Sequence, residues 1–238
     1  MNTFRGYYRL FGFAVVVIRC IIPVMLRAYF FGQDRAYGLK KRQLAAQRLA
    51  RLLGVKIELS GTVLNGNYLY IANHRSYIDP ALVAIYVPIL AVAKAEVATW
   101  PLLGFGVKVT GTIFVERDSK QSRQDSLINI RTALQDGFPV MIFPEGTSSD
   151  APQTLPFRRG SFSVAAEEKI GVVPITIEYA HRTDAYVGTD TFLPHFLRCF
   201  AKKETPVKLH FGEVLYDENA DALLAKTQLV IDTQLKIS

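Results

Sequence analysis

The first fifty-four residues contain a largely apolar run, interrupted by Arg19, followed by a basic run with helical periodicity. Residues 10–26 read LFGFAVVVIRCIIPVML, at the short end of what crosses a bilayer. Residues 36–53 space leucine and alanine as in a helix, with lysine and arginine between them. We predict that residues 1–54 form a retained membrane anchor and an amphipathic helix in the membrane interface. The alternative for the second helix is packing on the protein's own domain, and whether the first spans or only embeds stays open.

Short apolar strands alternate with helical patterns in the rest of the chain. Strands are predicted at residues 55–59, 68–72, 90–93, 111–115, 140–143, 172–177 and 207–211, and helices at 80–86, 122–135, 161–168 and 220–235. This alternation is typical of an α/β fold with a mixed, largely covered β-sheet flanked by helices. We therefore predict one domain over residues 55–238.

The net charge of +7 is unevenly distributed. Residues 1–60 hold 11 Lys/Arg against 2 Asp/Glu, so the rest of the chain carries a net −2. Basic residues interleaved with an apolar run favour an anionic membrane surface over nucleic acid as the partner. Cys20 and Cys199 are too few and too distant for a disulfide framework or a metal cluster.

Residues 73–79, NHRSYID, stand where an apolar strand ends. An acid five residues after a histidine, across a strand-to-helix turn, can hold one ring nitrogen while the other accepts a proton. His74 and Asp79 are thus a candidate general-base pair. The structural alternative is that Asp79 caps a helix that has Pro80 at its first position.

Two further segments follow predicted strands. In FPEGTSS, residues 143–149, Gly146 permits close backbone approach to an anion, although an ordinary turn has the same residues. GTIFVER, residues 111–117, ends in Arg117, which suits phosphate recognition. A solvated surface arginine is the alternative.

Four blocks in order, NHRSYID, GTIFVER, FPEGTSS and VVPITI (residues 172–177), resemble the motifs of the lysophosphatidic acid acyltransferase family, the glycerolipid acyltransferases. The resemblance spans about residues 55–215, which would make residues 55–238 an acyltransferase domain. Weaker matches lie at residues 93–96 and 155–162. The sequence departs from the pattern at Glu116 and at Arg158-Arg159, where relatives commonly carry a lysine in the basic pair.

This resemblance implies that His74 deprotonates an acceptor hydroxyl, that Asp79 orients it, and that the hydroxyl attacks an acyl thioester directly. It implies that Arg117 holds the acceptor's phosphate, and that further substrate contacts come from Lys94, Glu145, Gly146, Thr147 and Arg159. The thioester, acyl-CoA or acyl carrier protein, is a co-substrate, and no cofactor or metal is expected.

The motifs indicate the reaction better than the acceptor. The leading expectation is 1-acylglycerol-3-phosphate, giving phosphatidic acid, at the cytoplasmic face of a bacterial inner membrane. The same chemistry on lyso-ornithine lipid or a headgroup-bearing lysophospholipid is the alternative. A thioesterase is disfavoured because the sequence has no Gly-x-Ser-x-Gly. A non-catalytic membrane protein with the same fold is the last alternative.

Overall fold

A seven-stranded sheet organises the fold. The computed structural model describes residues 2–99, 104, 108–116 and 118–237. Its strands are β1 (Val55–Gly61), β2 (Leu69–Ala72), β3 (Leu90–Lys94), β4 (Ile113–Val115), β5 (Val140–Ile142), β6 (Val172–Tyr179) and β7 (Thr205–Phe211). Its helices are α1 (Thr3–Phe31), α2 (Arg35–Leu53), α3 (Asp79–Ala84), α4 (Lys120–Gln135), α5 (Gly160–Glu167), α6 (Phe192–Phe200) and α7 (Ala220–Ile237).

The strand order is β1-β7-β6-β2-β5-β3-β4, and each pair is parallel except β6 with β7. All four residues of β2 are buried. Tyr70 belongs to the apolar core on one face of the sheet, and Leu69 and Ile71 belong to that on the other, as alternation along a strand requires. The predicted mixed, covered sheet flanked by helices is confirmed.

Strand register explains where the site forms. In the parallel pair β2 and β5, Ile71 lies opposite Ile142. Each strand ends within one residue of this pair, so the residues three positions further on, His74 and Glu145, emerge side by side. Two segments that are seventy residues apart in sequence therefore meet at the carboxyl edge of the sheet, where open α/β sheets commonly bind ligands.

Each predicted strand and helix of the domain is present, with ends shifted by a few residues. Helix α6 was not predicted from the sequence. It is only nine residues long and carries Pro194 in its first turn, where proline is tolerated. Its buried face, with Phe196 and Phe200, extends the apolar core against α1.

Helices α1 and α2 form a hairpin over one face of the domain. α1 begins at Thr3, before the predicted apolar run, and is long and apolar enough to cross a membrane by length and composition. The guanidinium of Arg9 ties it to the domain by donating to the carbonyls of Phe200, Lys202 and Lys203 at the end of α6. Its large side chains at Phe4 and Phe31 are exposed.

The apolar side of α2 packs inward, which favours the alternative left open for this helix. Leu39, Ala46 and Leu53 are buried, and the helix contacts α3 and β1. Gly54 ends it in a left-handed conformation, φ +72°, where a Cβ would lie 2.3 Å from the Arg9 guanidinium. The division of the chain into an anchor over residues 1–54 and a domain over 55–238 stays a prediction.

Candidate active site

His74 and Asp79 form a hydrogen-bonded pair just beyond β2. The Nδ1 atom of His74 lies 2.9 Å from Oδ2 of Asp79, whose side chain is fully buried. The same oxygen accepts hydrogen bonds from the backbone N–H groups of Arg75 at 2.6 Å and Ser76 at 2.7 Å. A carboxylate in this position assigns the proton to Nδ1, which leaves Nε2 of His74 as the basic nitrogen.

The capping alternative for Asp79 does not describe this geometry. Ile78 occupies the position before α3 and makes no side-chain cap bond. Asp79 is itself the first residue of α3, and its carboxylate turns back towards the preceding turn. The bonds to Arg75 and Ser76 keep the Asp79 carboxylate directed at the imidazole, as a general-base pair requires.

Glu145 supports this turn from the neighbouring strand. Its Oε1 accepts from the backbone N–H of His74 at 2.8 Å, and its Oε2 accepts from that of Leu155 at 2.9 Å. The side chain is 7% exposed, and burial raises the pKa of the carboxyl, while the two backbone N–H bonds oppose the rise. Glu145 therefore joins the His74 turn to the loop after β5 and lies behind the cavity wall.

Two other contacts orient the imidazole. Asn73 bonds the backbone of Ile177 in both directions, at 2.9 and 2.8 Å, which continues the pairing of β2 with β6 by one side chain. The ring of Phe143 stacks on His74 with centroids 4.1 Å apart. His74 thus has a hydrogen bond, a stacked ring and a fixed backbone, and 20% of its side chain remains accessible.

A cleft of about 550 Å³ opens beside His74. Its polar rim includes Lys94, Arg123, Gly146, Thr147, Ser148 and Arg158, and its apolar interior includes Phe13, Val17, Ile21, Leu49, Ala50, Ile78, Ala81 and Ile85. The apolar part is made largely by α1, α2 and α3. A reactive imidazole at the mouth of an apolar cavity suits a molecule with a long hydrocarbon chain and a polar reacting end.

The cations predicted to contact substrate are placed differently from one another. Lys94 lines the cleft and pairs with Glu96 at 2.6 Å. Arg159 is exposed, and its guanidinium bonds Asp221 at 2.8 Å and Ser163 at 2.8 Å. The structure thus places Arg159 on the surface, outside the cleft lining, and Arg117 lies outside the described residues.

Arg158, to which the motifs assign no role, lines the cleft. A Cβ on Gly146 would lie 3.0 Å from Nε of Arg158, and Gly146 has φ +76°. Glycine is therefore required both for the backbone conformation and for this approach. The Gly146 N–H already donates to the carbonyl of Phe143 at 3.1 Å. The Arg158 guanidinium beside Gly146 is therefore a better candidate for an anion contact than this N–H.

Within the part of the chain that the structure describes, no group of three or more His, Cys, Asp or Glu side chains could hold a metal ion.

Residues 43–178, more than half of the chain, match the family model described as Acyltransferase. The chain belongs to the acyltransferase family. A lyso-ornithine lipid O-acyltransferase of Pseudomonas aeruginosa is 32% identical over 223 residues, covering 90% of this acyltransferase and 84% of that protein. One from Rhizobium meliloti is 30% identical over 190 residues, covering 71% of this chain and 65% of its own.

Relatives with another acceptor in their names are similar too. A 1-acyl-sn-glycerol-3-phosphate acyltransferase of Helicobacter pylori is 27% identical over 179 residues, covering 74% of this acyltransferase and 73% of that protein. The crystal structure of the 1-acyl-sn-glycerophosphate acyltransferase of Thermotoga maritima superposes with a TM-score of 0.71 at 20% identity, over 99% of this chain and 95% of that one. That likeness supports the fold.

Sequence reasoning missed one polar contact in the site of this acyltransferase. The hydroxyl of Tyr179, at the end of β6, donates to Oδ1 of Asp79 at 2.7 Å. Tyr179 follows the VVPITI block by two residues, and in sequence it looks like one more residue of a buried strand. The signal that could have found it is a polar-tipped aromatic residue at the carboxyl end of a strand that neighbours β2.

Proposed function

We propose that this acyltransferase moves a fatty acyl group from a thioester to the free hydroxyl of a lyso-ornithine lipid. The observation that carries the acceptor is the 32% identity over 90% of the chain to a lyso-ornithine lipid O-acyltransferase. The motifs alone favoured 1-acylglycerol-3-phosphate, so the order of the two acceptors is reversed here. The His74–Asp79 pair at the mouth of the apolar cleft supports the reaction itself.

In the proposed step, Nε2 of His74 accepts the proton of the acceptor hydroxyl while the oxygen attacks the thioester carbonyl carbon. The tetrahedral intermediate collapses by breaking the C–S bond, and the imidazolium returns the proton to the leaving sulfur. Asp79 stabilises the imidazolium between the two transfers. The Arg158 guanidinium, beside Gly146, is the proposed partner of the oxyanion or of an anionic headgroup.

Direct transfer fits the state of the cysteines. Burial raises the pKa of the Cys199 thiol to about 12, and its side chain lies on the buried face of α6. Burial also raises the pKa of Cys20, which lies in the apolar part of the cleft. Neither thiol has the lowered pKa that marks a nucleophilic cysteine, which agrees with direct attack by the acceptor hydroxyl.

The apolar interior of the cleft is the proposed site of the hydrocarbon chains. It is formed where α1 and α2 lie over α3, so a lipid chain can enter from the side of the hairpin. Both candidate donors, acyl-CoA and acyl carrier protein, are soluble thioesters. We therefore place the active site at the cytoplasmic face of the membrane, with the polar rim towards the donor.

Membrane attachment is proposed through α1. Its outward side chains include the exposed residues Phe4, Tyr8, Phe11, Tyr29, Phe30 and Phe31. An exposed apolar face of this size is unusual in a soluble protein, and aromatic residues favour the membrane interface. The excess of basic residues in positions 1–60 adds attraction to anionic headgroups.

Lysophosphatidic acid is the second candidate acceptor. The similarity to the Helicobacter pylori acyltransferase and the rim cations Lys94, Arg123 and Arg158 favour it. If it is the acceptor, Arg117→Ala should mainly raise the KM for this phosphate-bearing lipid, since the resemblance gives Arg117 the phosphate.

The test is a transfer assay with purified enzyme in mixed vesicles. Oleoyl-CoA and oleoyl-acyl carrier protein are offered against lyso-ornithine lipid, lysophosphatidic acid and lysophosphatidylethanolamine, with products identified by mass spectrometry. We expect kcat/KM for lyso-ornithine lipid to exceed that for lysophosphatidic acid by about tenfold, a difference of about 1.4 kcal/mol in transition-state binding. The reverse preference would replace the acceptor, and release of oleate without acceptor would make the enzyme a hydrolase.

A further inference from the structure

The Asp79 carboxylate is bonded on both of its oxygens. Oδ2 receives His74 Nδ1 and the N–H groups of Arg75 and Ser76, as described above, and Oδ1 receives the hydroxyl of Tyr179 at 2.7 Å. The carboxylate is fully buried and Tyr179 is 7% exposed. Water is therefore excluded from the place that the phenol occupies, and the phenol hydroxyl is the side-chain partner of Oδ1.

The fold brings Tyr179 to this point through β6. In register, Ala72 of β2 lies opposite Ile175 of β6, and Asn73 extends the pairing to Ile177. Tyr179 is two residues further along the same strand and so has the same facing as both isoleucines. It passes beneath the turn that carries His74, while β7 holds it from the other side through the pairing with Val207.

We propose that Tyr179 is a positioning residue of the acyl transfer, which fixes the rotation of the Asp79 carboxylate so that Oδ2 faces His74. A half-turn exchanges two equivalent oxygens and changes nothing, so the tilt of the carboxylate plane is what Tyr179 can determine. Without a partner on Oδ1, the plane could tilt until neither oxygen points at the imidazole. With Tyr179 in place, the orientation of the carboxylate that bonds His74 is also the one in which each oxygen has a hydrogen-bond partner. The inference rests on His74 and Asp79 as the proposed general-base pair.

Tyr179 can serve only as a donor to Asp79. Burial raises the pKa of Tyr179 well above its ordinary value, and the adjacent Asp79 charge raises it further, while a hydrogen bond with the Ser76 side chain opposes the rise. The phenol thus stays protonated wherever the enzyme is active. Its donation also withdraws charge from the carboxylate, which tempers how strongly Asp79 holds a proton on the imidazole.

Removing the hydroxyl should therefore have two effects on catalysis. The pair loses its fixed geometry, so kcat falls. The carboxylate also keeps more of its charge, which stabilises the imidazolium, so the acidic limb of the pH–rate profile moves to higher pH. The other titratable groups around the pair, Glu145 after β5 and Arg75 in the turn, are unchanged by this substitution.

The experiment compares Tyr179→Phe with Tyr70→Phe, each measured with the acceptor that the wild type uses best. Tyr70 is a matched control because it is fully buried in the same core and donates one hydrogen bond, to the carbonyl of Leu64 at 2.6 Å. It has no contact with Asp79 and does not line the cleft. Both variants should lose a similar amount of thermal stability.

For Tyr179→Phe we expect kcat to fall about five- to twentyfold, a part of what a positioned general base contributes. We expect its acidic limb to rise by about half a pH unit, while the KM values stay within about twofold. Tyr70→Phe should keep the wild-type kcat and pH profile. If Tyr179→Phe matches Tyr70→Phe in both, Tyr179 is structural only and the inference is wrong.

Two further variants keep the test decisive. Site-specific 3-fluorotyrosine at position 179 keeps the shape and strengthens the donor, so the acidic limb should move to lower pH; an unchanged limb would overturn the inference even if Tyr179→Phe does not fold. His74→Ala distinguishes a failure of the proposed general base from a failure of the proposed role of Tyr179. Retained activity in His74→Ala would mean that His74 is not the base. If His74→Ala is inactive and Tyr179→Phe keeps the wild-type kcat and pH profile, His74 remains the proposed base and only the positioning role of Tyr179 is wrong.

Discussion

The turn that carries His74 and Asp79 and the cationic rim of the cleft are built in opposite ways. At the turn, the Asp79 carboxylate accepts from the backbone N–H groups of Arg75 and Ser76, and the Glu145 carboxylate accepts from that of His74. At the rim, Lys94 pairs with the exposed Glu96 and Arg158 is exposed, and outside the cleft lining Arg159 pairs with the exposed Asp221. The difference teaches that the scaffold holds the proposed base pair in one geometry, whereas the side chains that would contact the acceptor are exposed or held only by exposed ion pairs.

The energetics of the two regions differ accordingly. A buried carboxylate that loses a partner suffers the cost of an unsatisfied charge, so each bond at the turn matters strongly. An exposed ion pair contributes little and is screened by salt, so rim residues can change partners cheaply. Changes at the turn should therefore reduce kcat, and changes at the rim should alter the use of one acceptor over another.

The largest effect is expected for His74→Ala at the turn. Removing the base should lower kcat by about 10²- to 10⁴-fold, the usual contribution of a positioned general base. Folding and membrane association should persist, since α1 and the sheet do not depend on the imidazole. Initial rates, thermal melting and vesicle flotation measure the three properties, and near-normal turnover in purified protein would remove the proposed mechanism.

A smaller but still large effect is expected for Glu145→Gln. Both Glu145 oxygens accept backbone N–H groups, from His74 and Leu155. A glutamine would present its own N–H₂ to one of these donors, so the turn must shift, and kcat should fall by about 10- to 100-fold from misplacement of the base.

The control for Glu145 is Glu167→Gln, which alters an exposed carboxylate paired with Arg131 on α4. It should leave kcat and KM unchanged. The comparison is read from kcat at saturating substrate and from the melting temperature. If Glu145→Gln raised the acceptor KM and left kcat intact, Glu145 would be a substrate contact, as the family resemblance implies, and the bracing role would be wrong.

Much of the rigid region could be predicted from the sequence, because it is encoded locally. The strand before NHRSYID, the turn, and Asp79 five residues after His74 all lie within one short segment. In the same manner, FPEGTSS directly follows β5. Tyr179 was not predicted, since it meets Asp79 only through the register of β6 beside β2, which the order of the motifs does not show. The hydrogen bond from the His74 N–H to the Glu145 carboxylate depends on the β2–β5 register in the same way.

The rim was harder to predict because neighbouring residues of the same type point in different directions. Arg158 and Arg159 are adjacent and chemically identical, and only the start of α5 at Gly160 decides which one faces the cleft. Helix α6 was missed for a local reason, since it is only nine residues long and has Pro194 in its first turn.

The smallest effect is expected in a comparison of Arg158→Ala, at the rim of the cleft, with Arg159→Ala, just outside it. Arg158 lies against Gly146 in the cleft lining, whereas Arg159 pairs with Asp221 outside it. Loss of one charge-assisted contact should raise the acceptor KM about five- to tenfold in Arg158→Ala, with kcat changed less. Arg159→Ala should stay within about twofold of wild type in both, as expected for an exposed ion pair.

The readout for this pair is the acceptor KM at low and at moderate salt, with the donor held saturating. Both variants remove the same charge from adjacent positions, so a general change in surface potential affects them equally and cancels in the comparison. Equal KM values for the two variants would mean that the Arg158 guanidinium does not contact the acceptor. A larger effect in Arg159→Ala would mean that Arg159 leaves Asp221 when the lipid binds, and that the acceptor reorganises the rim.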